Sequence, residues 1–427
     1  MKAKEKLKKA PLYRFIVFVE MTLCYVLLYA GIQMVATLGA DIMSYLNVSE
    51  SELSIFSAIG NPAMAIISVF AGAIAVKIGG KRVLVIGLLT MSLSGGLYLT
   101  GPTSLRVLII IRILQGVGSG MVSATVQALV SVWFPANERG TAQGALACFY
   151  GVSTSVVTMY AGFMSARNAL WYQTAGYLLL ICGILFAIIV IIGYKDIEKT
   201  YGVNLIDEAM EGYEISKVTD TNQIAVLQRR PNTWGAVLRY PAFWLLGISL
   251  FFYGGSAFGV GFVIPMFLKH VGYDVAGQAA VMTYGSLASV IFSLLGGIIA
   301  DRIFHGRRTQ VYAIAFGGAV VFTIVMLMAG SNVSVVAMSG LYFLMFGFTT
   351  FSGGPAWVLP VEIVGPQMAQ QNVGTCLLFS GMGSTIMLLV YGYMAAHFSA
   401  DVSMIALACC MAIPCILAII LGKKYKV

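Results

Sequence analysis

Two ionisable side chains stand inside stretches that otherwise read as lipid-soluble. Arg112 lies in "RVLIIIRILQGVGSG", residues 106–120, and Glu20 lies in the apolar run that follows the basic start "MKAKEKLKKAPLYRF". A guanidinium stays charged in proteins and presents a planar fork of N–H donors. Near a bilayer centre it costs upward of about 2.5 kcal/mol, and an intramembrane charge is functional by default. The chemistry open to Arg112 is the holding of an anion; the structural alternative is bonding to neighbouring backbone carbonyls. Glu20 is the candidate proton carrier, the alternative being a carboxylate that simply faces water. Tyr25, Tyr29 and Gln33 follow i, i+4, i+8 spacing and share one helix face. Catalytic chemistry is not indicated: the chain shows no metal-ligand spacing, no triad and no paired carboxylates, so neither an enzyme nor a cofactor is expected. Cys24, Cys148, Cys182, Cys376, Cys409, Cys410 and Cys415 all fall in apolar runs without a CxxC, and they behave as small buried hydrophobes. His270, His305 and His397 fall between the apolar runs. "GVGSG" is not a dinucleotide loop, because no strand precedes it.

The elements that must carry these groups are set by composition. The chain has 427 residues, 59% hydrophobic and 10% charged, against about 25% charged in an average soluble domain. Such a chain cannot cover a water-facing surface, so an all-α integral membrane protein is expected. Twelve spans of a length suited to a core about 30 Å thick lie near 13–36, 54–76, 83–101, 105–130, 141–163, 171–193, 242–265, 279–300, 311–330, 334–356, 371–395 and 402–422. The first apolar run is too long for a signal peptide and reads as a retained span. An even number of spans puts both termini on one side. If that side is cytoplasmic, every Lys and Arg except Arg106, Arg112, Arg167 and Lys269 falls in a cytoplasmic loop or tail, as the positive-inside rule requires. The formal charge of +9 therefore follows membrane topology and not a nucleic-acid surface. In this topology Arg112 and Asn61 enter from outside and Glu20 from inside, each about 10 Å deep at 1.5 Å per residue. Arg112 and Glu20 are then too far apart along the membrane normal to pair.

The two halves repeat. "GAIAVKIGGKR" from Gly72 returns as "GIIADRIFHGRR" from Gly297, and "WFPANE" from Trp133 returns loosely as "WVLPVE" from Trp357, at offsets of 224 or 225. A duplicated six-span unit is one of the known transporter designs. The expected organisation is a bundle over 1–193, a cytoplasmic linker over 194–240 and a second bundle over 241–427. Within the linker, "NLIDEAMEGYEISKV" has the pattern of an amphipathic surface helix.

These motifs carry a family resemblance across essentially the whole chain. The loop after span 2 resembles the G-x-x-x-D-R-x-G-R-R of major facilitator superfamily transporters through Gly72, Lys77, Gly79, Lys81 and Arg82. Its second copy does so through Gly297, Asp301, Arg302, Gly306, Arg307 and Arg308, with two extra residues before the second glycine. "RILQGVGSG", with Arg112 and Gln115, is similar to the family's span-4 motif, and "WFPANERGTAQG" to its following loop. "VLRYPAFWLLGISLFFYGG" weakly resembles the anion-symporter and oxalate/formate-type branches. Span 5 lacks the glycine-proline pair of the drug–proton antiporters.

The resemblance implies two six-helix bundles that rock about a central cavity lined by spans 1, 4, 7 and 10. Arg112, Asn61, Tyr25, Tyr29, Gln33, Gln115, Tyr253, Ser256, Tyr284 and Trp357 are then the candidate substrate contacts. It also implies that the loop aspartate helps close the cytoplasmic side. The first copy has Val76 at that position, so gating is expected to rest on Asp301, with Glu138 and Arg139 as further candidates. Lys81, Arg82, Arg302, Arg307 and Arg308 are expected at the membrane surface, snorkelling to water. The implied function is secondary active transport of a small organic anion, such as a carboxylate, by a monomer in the cell membrane. H+ or a counter-solute is the coupling partner. Two other readings stay open: transport of an apolar or zwitterionic solute in either direction, and a transporter-like membrane sensor.

Overall fold

The computed structural model describes residues 7, 10–48, 50–102, 104–203, 205–209, 231–364 and 368–425. Twelve long helices carry the architecture, and the described residues include no strand. They are α1 Tyr13–Thr37, α2 Glu50–Ile78, α3 Gly80–Tyr98, α4 Leu105–Trp133, α5 Ala136–Ser165 and α6 Trp171–Gly193. The second set is α7 Pro241–Val271, α8 Val275–Arg302, α9 Arg308–Ala329, α10 Val335–Phe351 with its continuation Gly353–Ile363, α11 Ala369–His397 and α12 Ala400–Tyr425. A helix satisfies its own backbone inside hydrocarbon, which is why apolar runs of this length fold so. Ten of these helices are long and apolar enough to cross a membrane by composition alone. The other two, α3 and α5, open on polar turns: Lys81 and Arg82 in α3, and Asn137, Glu138 and Arg139 in α5. Large apolar side chains such as Ile192, Met328, Val336 and Leu389 stand exposed on the helices, a surface suited to lipid and not to water.

Several helices run further than their apolar cores. His270 and His397 lie in the last turns of α7 and α11, not in loops; only His305 is between helices. The repeated loop is shaped by its glycine: Gly79 has φ +90° and Gly306 φ +85°. Both adopt a backbone that side chains disfavour. The two extra residues of the second copy are absorbed by a turn in which His305 also takes a positive φ, 50°.

The contacts divide the chain into two units. The first is Met1–Trp133 with Phe149–Glu211 and Gln370–Leu378. In it α2 and α3 pack on α4, α3 also packs on α6, and α1 lies on α4 and α6. The second is Phe134–Cys148 with Gly212–Ala369 and Phe379–Val427. There α8 and α9 pack on α10, α9 also packs on α12, and α7 lies on α12 and more lightly on α10. The pairings correspond one to one under the sequence repeat.

Small residues let backbones meet at several helix crossings of each unit, and one such crossing in the first unit has its repeat counterpart in the second. In the first, Ser68 of α2 donates to the Gly374 carbonyl of α11 at 2.8 Å. A Cβ on Gly72, one turn on, would lie 2.6 Å from the Gln370 carbonyl. In the second, Gly140 and Gly144 of α5 meet Ser293 and Gly297 of α8. Ser68 and Gly72 stand to Ser293 and Gly297 at the offset of the loop repeat.

Of the expected linker, residues 194–203, 205–209 and 231–240 are described. Ile197, Val203, Leu205 and Ile206 are buried, and Trp133 makes edge contacts with the rings of Tyr194 and Tyr201. The one-turn helix Ile206–Ala209 is the described part of the expected amphipathic helix; the rest lies outside the described residues.

Candidate functional site

Arg112 sits about two turns into α4 and is 3% exposed. Its Nη1 donates to the Gly31 carbonyl of α1 at 3.1 Å and to Gln115 Oε1 at 3.0 Å, and Nη2 reaches the Ile32 carbonyl at 3.4 Å. The spacing i, i+3 brings Gln115 under the guanidinium on the same helix face. Gly60 of α2 makes room for it, since a Cβ there would lie 2.9 Å from Arg112 Nε. A small void beside the guanidinium is lined by Ile32, Asn61, Met64 and Ser119 as well as Arg112 and Gln115. Arg112 and Asn61 therefore meet in one place.

Tyr25 and Tyr29 form an edge-on pair with ring centroids 4.7 Å apart. Tyr29 in turn meets Tyr150 of α5 edge-on at 4.8 Å, and the Tyr150 hydroxyl is hydrogen-bonded to Gln33. This aromatic wall lies in the first unit with Arg112. No periodic signal along the chain joins Tyr150 to α1, so its place in this wall was not anticipated.

Glu20 is buried beside the C-terminal end of α6, with its carboxylate against Gly193. Oε2 has no hydrogen-bond partner among the described residues. The end of a helix carries partial negative charge, so it does not favour a carboxylate there. Lys81 is the cation acting on Glu20. Its Nζ caps α6, donating to the Ile191 and Tyr194 carbonyls at 2.8 and 2.7 Å. Lys81 therefore fastens a helix end and is not simply extended to water. Tyr13 donates to the Gly193 carbonyl at the same end.

In the second unit Tyr253 of α7 is hydrogen-bonded to Trp357 of α10, whose ring stands perpendicular to it. Tyr312 of α9 completes this cluster, stacked on Tyr253 at 6.4 Å. Ser256 faces helix packing: its hydroxyl donates to the Phe252 carbonyl at 2.8 Å and lies 3.5 Å from Cys410. Tyr284 is half-exposed on α8.

The second unit also holds a buried charge cluster where α8 ends and α5 begins. Asp301 accepts from the Thr141 hydroxyl at 2.7 Å, from the Thr141 N–H at 2.5 Å and from the Gly140 N–H at 3.2 Å. Charged acceptors make the stronger hydrogen bonds. Arg308 pairs with Asp301 and donates to the Ala136 carbonyl at 2.6 Å. Glu362 joins the cluster, 3.5 Å from Arg308 Nε and 3.8 Å from Arg139 Nη1. Gly140 is required by this geometry, since a Cβ would lie 2.8 Å from Asp301 Oδ1.

Arg308 corrects an expectation. It does not snorkel at the surface but is completely buried, because two carboxylates and a carbonyl converge on it. Arg82, Arg302 and Arg307 are exposed, and Glu138 is half-buried. Glu362 was overlooked, although the repeat marked it as the counterpart of Glu138.

Twelve long helices in a duplicated six-helix pattern, ten of them long and apolar enough to cross a membrane, are the architecture of a polytopic membrane protein. The chain belongs to the Major Facilitator Superfamily, whose sequence profile matches residues 21–386. It is 26% identical over 400 residues to the "Probable sulfoacetate transporter SauU" of Cupriavidus necator, covering 89% of this chain and 87% of that one. An uncharacterized MFS-type transporter of Mycobacterium tuberculosis is 33% identical over 110 residues, 25% of this chain and 16% of that one. Among solved structures, the proton:xylose symporter XylE superposes with a TM-score of 0.76 at 17% identity, covering 98% of this chain and 97% of that one. The Escherichia coli fucose:proton symporter FucP does so with 0.72 at 14%, covering 95% and 98%.

Proposed function

We propose that this protein is a secondary active transporter for a small organic anion bearing a carboxylate or sulfonate, working by alternating access. The observation that carries the reading is the buried Arg112 guanidinium beside a void shared with Asn61 in the membrane interior. A relative matched over 89% of the chain, whose name specifies sulfoacetate, supports the same class. Tyr25, Tyr29, Gln33 and Tyr150, in the unit that holds Arg112, set shape and polarity. The Asp301, Arg308, Glu362 and Arg139 cluster serves as the cytoplasmic clasp. Both termini are cytoplasmic.

The test is thermal-shift screening of the purified protein against sulfoacetate, short dicarboxylates, amines and sugars, followed by proteoliposome uptake of any stabilising acid. At saturating acid, about 100 times Kd, a stabilisation of about 2.7 kcal/mol is expected. Stabilisation by neutral solutes alone would sink the anion reading.

A second reading has its own observation. Arg112 bonds to the Gly31 and Ile32 carbonyls and to Gln115, as an arginine fixing α1 to α4 would. The tyrosine wall then holds a neutral or zwitterionic solute, and the same screen separates the two.

Glu20 is the proposed proton carrier. Glu20→Gln mimics the protonated side chain. It is expected to retain solute exchange in proteoliposomes and to lose accumulation driven by an inward pH gradient. Gradient-driven accumulation at the wild-type level in that variant would assign coupling elsewhere.

A further inference from the structure

In the second unit, aromatic rings gather where α7 begins and α12 ends. The short helix Trp234–Leu238 precedes α7. It is held by its buried Val237, by the Trp234 ring edge-on to Phe243 at 5.9 Å, and by Trp244, whose indole N–H donates to the Leu238 carbonyl at 2.8 Å. The Tyr240 ring meets that of Tyr425, the last residue of α12, at 5.7 Å. This tyrosine pair puts Arg239, Lys423 and Lys424 at one end of the unit, and all three are exposed. Among the described residues none of the three makes an ion pair. No Asp or Glu occurs between Asp220 and Asp274 or after Asp401, so the charge of both segments is positive only. Beside the cations the surface is apolar. Leu238 is 41% exposed and Trp244 46%, and Ile248, one turn further along α7 on the same face, is exposed as well.

We propose that this end of α7 and α12 is a binding site for an anionic phospholipid, with the phosphate on Arg239, Lys423 and Lys424 and an acyl chain along Trp244 and Ile248. A phosphodiester supplies the acceptor oxygens that a guanidinium fork and two ammonium groups call for. Each Lys or Arg near a membrane surface favours anionic lipid by about fivefold. Trp and Tyr suit the headgroup level, where one end of the ring is apolar and the other meets water. Free phosphate or an acidic peptide would answer the cations and leave Leu238, Trp244 and Ile248 uncovered. A lipid carries the anion and the apolar chain in one molecule, which matches charge and exposed apolar surface side by side. The bound lipid pins the end of the linker to the second bundle.

The experiment uses the full-length protein in phosphatidylcholine nanodiscs doped with chain-brominated phosphatidylglycerol or, separately, chain-brominated phosphatidylcholine. Bromine in contact quenches tryptophan fluorescence, and the Trp244 share is the difference between wild type and Trp244→Phe. Quenching of that share is expected to saturate at a mole fraction at least about tenfold lower for phosphatidylglycerol, as several cations at about fivefold each require. Arg239→Gln and Lys424→Gln should each weaken the preference about fivefold. The variant with Arg239, Lys423 and Lys424 all changed to Gln should lose it. Lys269→Gln, an exposed cation at the other end of α7, should leave it intact. Salt should weaken the preference, because exposed charges are screened. Equal quenching by the two lipids overturns the proposal, as does a preference that survives the triple change. So does relief of the quenching by millimolar glycerol phosphate or by a polyglutamate peptide, which would make the occupant a free anion or an acidic protein.

Discussion

Replacing Asp301 with asparagine is expected to destabilise the protein by about 3 kcal/mol, the lower end of the range for a broken buried ion pair. Transport should fall by more than about tenfold, the equivalent of 1.4 kcal/mol. The carboxylate is buried and bonds to Arg308, to both polar groups of Thr141 and to the Gly140 N–H. Asparagine keeps one acceptor oxygen but leaves the completely buried Arg308 without its principal counter-charge. Glu362, 3.5 Å from Arg308 Nε, limits the loss. Val76 holds the matching position of the first copy and is exposed, so Val76→Asn is expected to behave as wild type. Thermal unfolding and proteoliposome uptake of both variants check this. Equal activities would mean that the cluster is not the clasp. The effect should be insensitive to salt, because screening acts weakly on buried pairs.

Arg112→Gln is the second change with a large expected effect. Uptake of an anionic substrate should fall by about 10²–10³-fold, matching the several kcal/mol lost when one partner of a desolvated charge contact is truncated. Arg112→Lys should recover part of it. Lysine keeps the charge but lacks the planar fork that spans the Gly31 and Ile32 carbonyls and Gln115 together. The informative readout is the substrate-induced thermal shift beside the unfolding temperature of the ligand-free protein. Loss of the shift with the ligand-free temperature nearly kept marks an anion contact. A large fall in the ligand-free temperature with the shift preserved marks an arginine that only ties α1 to α4.

The Asp301 cluster combines residues that are legible along the chain with residues that are not. Asp301 was legible because the loop motif and its repeat single out the one copy that keeps the acid. Arg308 was legible as a cation but not as a buried one. Its environment depends on Ala136 and Glu362, which are remote in sequence from it and from each other. Glu362 left a trace as the repeat counterpart of Glu138, yet nothing in the order of residues says that it bridges two arginines. Tyr150 left no trace: its ring meets Tyr29 only because α5 passes beside α1. Gly79 and Gly306 are the opposite case, since a turn's need for positive φ is local and shows directly as a repeated glycine.

The sequence by itself determined that this chain is a twelve-span, duplicated membrane protein of the major facilitator type. Hydrocarbon imposes helix on every long apolar run, and motif spacing is carried along one chain. The tertiary structure decided which polar side chains meet inside it. It placed Arg112 on α1 carbonyls with Asn61 beside the same void, and Glu20 at the end of α6. It also buried Arg308 between Asp301 and Glu362. Burial and pairing of charge depend on which helices cross and which small residues let them approach. Those crossings join positions that hydropathy along the chain treats as independent.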